Sequence, residues 1–179
     1  MVRVGGLQTL ADSGSDSRCP AGLSARQQLD EISGRVRRLV AQQYRCLNRT
    51  LLPALARRGI VRVRLDTLDR KLLATAERYF DEELFPALTP VAVDPAEPFP
   101  HLPGGTLHLA VRLAREGARR EAPRLALLPL PRAWPRFFQL PSERGYRYAL
   151  LEELVRHFAD RFFEGYEVLE SAVFRVTRN

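Results

Sequence analysis

Five of the chain's thirteen prolines fall between residues 86 and 100, inside the stretch YFDEELFPALTPVAVDPAEPFPHLP that runs from Tyr79 to Pro103. Each proline fixes its own φ, removes a backbone donor and pushes the residue before it toward an extended conformation. Pro86, Pro90, Pro95, Pro98 and Pro100 together therefore dictate a stiff, non-helical path. The expectation is a joint between two units, residues 1–85 and 86–179, and the residues on its two sides do read differently.

Before the joint the apolar period is helical. Ser24 followed by Gln27 matches a capping box, and Leu29, Ile32, Val36, Leu39, Val40, Tyr44, Leu47 and Leu51 then recur at three- and four-residue steps, which predicts a long amphipathic helix. Pro53 bends or ends it, Gly59 supplies a cap, and Val61, Val63 and Leu65 alternate as a short strand or extended link. A second helix is expected over 67–85, with Leu68, Leu72, Leu73, Ala76, Tyr79, Phe80 and Leu84 on its buried side. Residues 1–10 alternate weakly, as a helix end or a short strand, and ADSGSDSRCPAG at 11–22 reads as a loop.

After the joint the period changes to two. Leu107, Leu109, Val111 and Leu113 alternate with His108, Ala110 and Arg112 as in a half-buried strand. Glu116 and Gly117 mark a turn, and strands are expected over 125–130 and 137–140. An amphipathic helix over 151–163 stops at Gly165, and a strand over 166–176 closes the chain. The fold class is α+β: an amino-terminal helical portion followed by a mixed strand and helix portion.

The 179 residues, 45% of them hydrophobic, suit one domain or two small ones. The net charge of +7 attracts phosphate polyanions, nucleic acid or an anionic membrane surface, although a solvated basic surface is the plainer reading. Lys71 is the only lysine, and a GC-rich coding bias yields the same excess of arginine. Cys19 and Cys46 form neither a disulfide framework nor a zinc spacing. No signal-peptide core and no long apolar run is visible, so a cytoplasmic protein without a membrane segment is expected.

Few residues offer chemistry. A histidine nucleophile for phosphoryl transfer needs arginines around it, and His108 near Arg112 is the one arrangement of that kind, but no carboxylate orients the ring. His157 with Asp160 reads as a surface pair and His101 as part of the joint. Asp81, Glu82 and Glu83 point to different sides of a helix, which makes a solvated helix end rather than a metal site. Pro103-Gly104-Gly105 is followed by no lysine, so it is not a P-loop. PRAWPRFF, at 131–138, interleaves tryptophan with arginine and could stack bases while holding phosphates; packing at a core edge is the stronger reading.

Three separated segments carry a resemblance. LTPVAVDPAEPFP, from Leu88 to Pro100, resembles the segment joining the amino-terminal helical domain to the head domain of the long-chain polyphosphate kinases. AQQYRCLNRTLLPALARRGI (Ala41 to Ile60) and GYEVLESAVFRVTRN (Gly165 to Asn179) are similar to family segments in the same order. MVRVGGL is similar to a stretch inside the family's first domain, just after helices bearing an asparagine that contacts adenine. HLPGGT, at 101–106, departs from the family, which has an asparagine-containing segment there.

The resemblance implies that residues 1–85 belong to the amino-terminal domain and 86–179 to the head, or middle, domain. It implies reversible transfer of the ATP γ-phosphate to polyphosphate through a phosphohistidine, with magnesium. The phosphorylated histidine lies in carboxyl-terminal domains beyond the FRVTRN-like segment, so Met1 reads as an internal methionine and the chain as a middle portion. No catalytic, cofactor-binding or metal residue is then expected here, ATP and magnesium are held elsewhere, and the isolated chain is expected to be inactive. The implied partners are ATP and polyphosphate through the missing parts, and a second copy through the head domain. Two rivals come from other classes: a free-standing dimerisation or interaction module, and a basic polyanion binder without chemistry. Nucleic acid is the less favoured polyanion.

Overall fold

The computed structural model describes residues 2–117 and 122–177. The chain divides into two compact units, residues 1–57 and residues 58–178.

The first unit is helical. Helix α1 (Val2–Asp12) packs against α2 (Ala25–Cys46), so the weak alternation over 1–10 resolves as helix. The expected capping box opens α2: the Gln27 amide donates to Ser24 Oγ at 3.3 Å, and the Ser24 amide donates to Gln27 Oε1 at 2.9 Å. Among the described residues of this unit, Leu7 and Ala25 are the buried apolar ones. The stripe read from the period is real but lies open, with Val36, Leu39, Val40, Tyr44 and Leu51 all exposed.

Pro53 does not end the helix. A π-helical turn (Leu47–Leu51) intervenes, in which Leu52 donates to the carbonyl of Leu47, and α3 (Leu52–Arg57) continues beyond it. A proline ring collides with the carbonyl four residues back and leaves it without a donor. Widening the preceding turn by one residue lets Leu52 keep helical angles directly before Pro53. The same solution recurs ahead of Pro86, where Phe85 donates to Phe80 across the π turn Phe80–Leu84.

The second unit holds two sheets. In the smaller, β1 (Ile60–Arg62) runs parallel to β6 (Tyr146–Leu150), which pairs antiparallel with β5 (Phe137–Leu140). Gly59 and Gly145, at φ +82° and +77°, bring their backbones together beside this pairing. The Tyr146 amide donates to Gly59 O at 2.7 Å, and a Cβ on Gly145 would stand 2.2 Å from that oxygen. The larger sheet is antiparallel, in the order β2 (Val91–Val93), β4 (Arg124–Pro129), β3 (Leu107–Arg115), β7 (Tyr166–Arg175). Strand β7 therefore closes on β3, and the bulge between Arg112 and Leu113 shifts their register.

One apolar core joins these sheets to α4 (Arg70–Tyr79), its π turn and α5 (Leu151–His157). Phe80 and Leu84 are wholly buried in it with Leu109, Val111, Leu128, Leu154 and Val155. The Phe80 ring meets those of Phe85, Phe158 and Phe162. This packing is why the expected joint at 85/86 falls inside the second unit: α4 and its π turn supply the core of the sheets that follow. The proline-rich stretch is a crossing within that unit, and it holds strand β2 at its centre. Alternation alone did not indicate β2 or β6.

Candidate functional site

At one end of the large sheet a cleft of about 290 Å³ forms around the PRAWPRFF turn. The ladder of β4 runs on by one bond, from the Leu130 amide to Leu107 O at 2.9 Å, and the chain then turns at Pro131. It returns at Arg136, whose carbonyl accepts from the Leu151 amide at 2.8 Å, and enters β5. Leu107, Leu130 and Leu151 give the cleft an apolar floor, and half-buried Trp134 lines it above.

Three guanidinium groups reach this cleft, two from the turn and one from β7. Arg132, in the turn, donates through Nε to Thr106 Oγ1 at 3.1 Å and through Nη2 to Gly104 O. Arg136 forms a two-pronged ion pair with the buried carboxylate of Glu152, its Nε 2.9 Å from Oε1. Arg175 arrives from the last residue of β7, in register with Leu107. Gly105 makes room for this arrangement: it sits at φ +75°, and a Cβ there would stand 2.8 Å from Arg132 Nη2. Among the described residues of the lining, Glu152 is the one carboxylate beside these three arginines.

The histidines stay apart from it. His108 is wholly buried, its Nδ1 3.0 Å from Thr106 O and its ring stacked on Phe174. The alternation had placed it on an outer strand face beside Arg112. Instead that face is covered at its first residues, where Leu102, Thr106 and Leu127 are also buried, while Arg112 pairs with Glu170 in the open. Among the described residues, Nε2 of His108 has no hydrogen-bond partner. His157 is exposed and meets Phe158 edge-on, and His101 is exposed in the crossing.

The acidic run divides by direction, as its helical spacing requires. Asp81 and Glu77 both take Arg161, which also lies 4.9 Å over the Phe158 ring. The hydrogen bond to Asp81 raises the Arg161 guanidinium above its usual value. Glu82 and Glu83 line a second, wider cleft with Arg78 and Tyr79. Burial, and then Glu83, push the Tyr79 phenol up, so it stays protonated there and offers no nucleophile. Among the described residues no three His, Cys, Asp or Glu side chains gather as a metal site.

The sequence reading singled out the PRAWPRFF turn, but not the groups that complete the cleft. Glu152 reads as helix surface and Arg175 as strand surface until the sheet order brings them to one end. Nothing in local spacing links residues 105, 132, 152 and 175.

Two family models match the chain in order. Residues 1–63 match the polyphosphate kinase N-terminal domain, and residues 72–179 match the polyphosphate kinase middle domain. The polyphosphate kinase of Halalkalibacterium halodurans is 40% identical over 182 residues, covering 100% of this chain and 26% of that protein. That of Lactiplantibacillus plantarum is 35% identical over 178 residues, covering 99% of this chain and 24% of that protein. The crystal structure of polyphosphate kinase from Porphyromonas gingivalis aligns with a TM-score of 0.77 at 33% identity, over 84% of this chain and 26% of that one. The chain thus spans about a quarter of the length of the curated relatives it matches. With both domain models matched in order and the fold shared, the chain belongs to the polyphosphate kinase family.

Proposed function

We propose that these residues are the part of an ATP:polyphosphate phosphotransferase that contributes amino-terminal helices and part of a middle domain, while the transfer itself is carried by residues outside them. The observation that supports this reading is the unbroken order of the two domain matches across 1–63 and 72–179. The parent reaction moves the γ-phosphate of ATP reversibly onto polyphosphate through a phosphohistidine, with magnesium. Such transfer depends on positioning and on charge stabilisation around the moving phosphoryl group. His108 is buried against Phe174 and supplies neither, so the 179 residues alone are inactive. The cytoplasm is the compartment that fits an ATP-dependent enzyme, and none of the described helices is long and apolar enough to cross a membrane.

The test is ATP- and magnesium-dependent polyphosphate synthesis by the purified chain. No product is expected, and a rate near that of a full-length relative would overturn the assignment of the chemistry to residues outside this chain.

A second reading, a non-catalytic interaction module acting through a second copy, is favoured by the open stripe Val36, Leu39, Val40, Tyr44 and Leu51. Light scattering decides it: a mass that grows with concentration supports the module, and a monomer at every concentration removes it.

A further inference from the structure

We propose that the cleft formed by Arg132, Trp134, Arg136 and Arg175 is a binding subsite for a segment of inorganic polyphosphate. The inference rests on the reading above that the parent protein handles polyphosphate, and adds a place on this chain where the polymer is held.

Among the described residues, three guanidinium groups and one carboxylate line the cleft, so positive charge is in excess there. Glu152 is engaged by Arg136 on both of its oxygens, so it does not offset Arg132 and Arg175. Like charges gathered over an apolar floor repel more strongly than they would in open water, and an entering anion relieves that repulsion. The forks are also held in place before any ligand arrives. Thr106 and Gly104 fix Arg132, and Glu152 fixes Arg136, so less freedom is lost on binding than for arginines loose on a surface. Gly105 belongs to the same device, because any side chain there would push Arg132 Nη2 aside.

Size and chemistry then select the anion. At about 290 Å³ the cleft lies just under the roughly 300–1,000 Å³ of small-molecule pockets, which disfavours enclosing a whole nucleotide. The charged side chains that line it are three arginines and Glu152, and Arg136 already engages that carboxylate, so the lining favours an anion. A linear polyanion needs only donors, and the outer nitrogen Nη1 of Arg132 and the guanidinium of Arg175 offer them to phosphate oxygens.

Trp134 is the chain's only tryptophan, so its emission reports on this cleft. The full 179-residue chain is titrated with medium-chain sodium polyphosphate at physiological salt, following Trp134 emission, while the anisotropy of end-labelled polyphosphate follows binding anywhere on the chain. A saturable emission change is expected. It weakens at least tenfold in the double variant R132A/R175A, whose slope of log affinity on log salt falls by about two. Arg175→Ala, at an exposed strand end away from the turn, weakens binding by itself and guards against a misfolded double variant. Gly105→Ala weakens binding by displacing Arg132, and Arg37→Ala/Arg38→Ala in α2 leaves the emission response unchanged.

If Trp134 emission is silent, or R132A/R175A and Arg175→Ala bind as the parent does, the subsite is wrong. Anisotropy then shows whether polyphosphate binds elsewhere on the chain, and either result leaves the proposed function standing, since that reading rests on the two domain matches. A stronger emission response to ATP than to polyphosphate at equal phosphate would overturn the subsite in favour of a nucleotide site.

Discussion

The two units bury their apolar residues to very different degrees. In the second, residues from α4, both sheets and α5 close one core in which Phe80, Leu84, Leu109, Leu128 and Leu154 are out of contact with water. In the first, a helix with a well-made cap and a regular apolar stripe buries Ala25, and Leu7 of α1 is the other buried apolar residue among those described. A correct period and a correct cap specify a helix, but most helical stability comes from packing of the apolar face. The lesson is that amphipathicity states a demand for a partner surface, and only the second unit meets that demand from within.

Urea unfolding breaks this comparison most directly. Residues 1–57 are expected to lose helix, read by far-UV circular dichroism, at lower urea than the transition of the second unit, read by Trp134 emission. Coincident transitions would show that the chain unfolds as one cooperative body. Phe80→Ala is expected to destabilise the second unit by about 3–5 kcal/mol, whereas Leu39→Ala, on the open stripe, changes stability by less than about 0.5 kcal/mol. A large cost for Leu39→Ala would mean that the stripe is covered in solution. Gly145→Ala is expected to cost about 2–4 kcal/mol, because a side chain at φ +77° would also strike Gly59 O, and the Trp134 transition should record it.

The caps sharpen the same contrast at a smaller scale. Asp69, which receives the Leu72 amide at 2.9 Å, and Ser24 each contribute about 1 kcal/mol to their helices. Asp69→Ala should shift the Trp134 transition, and Ser24→Ala only the circular dichroism. The smallest effect is one of pH. The hydrogen bond from Arg64, and then its charge, hold the exposed Asp66 carboxyl below its usual value. Its contribution is thus present above the unfolded value of about 4 and is lost as pH falls through the folded one. Asp66→Asn should flatten the acid decline of the unfolding midpoint slightly below that pH.

Much of the fold was legible in the residues because its signals are local. The capping box at Ser24, the alternation over 107–113 and the positive φ at Gly59, Gly117 and Gly165 all follow from neighbours in sequence. What escaped depends on partners far along the chain. Val91–Val93 is too short to alternate, and pairs with Leu125–Leu127 only because β4 lies beside it. His108 was read as surface since the ring that stacks on it, Phe174, comes from a strand far along the chain. The compact units part at 57/58, upstream of the proline-rich stretch, for a related reason. Prolines mark where a helix must stop, while packing decides to which core the stopped helix belongs. The candidate cleft was half legible, its tryptophan and two arginines in one turn, its other walls brought by topology.

The parallel pairing of β1 with β6 sets an order of events during synthesis. Ile60, Val61 and Arg62 find their partners at Tyr146, Arg147 and Tyr148, after four other strands have been made. A ribosome delivers about 5–20 residues per second, so β1, whose partner in the sheet is β6, waits for seconds with neither edge paired. The antiparallel strands β2, β3 and β4 can pair meanwhile, and the contact of Gly59 with Gly145 comes late, as the latch that fastens the small sheet once β5 and β6 have emerged.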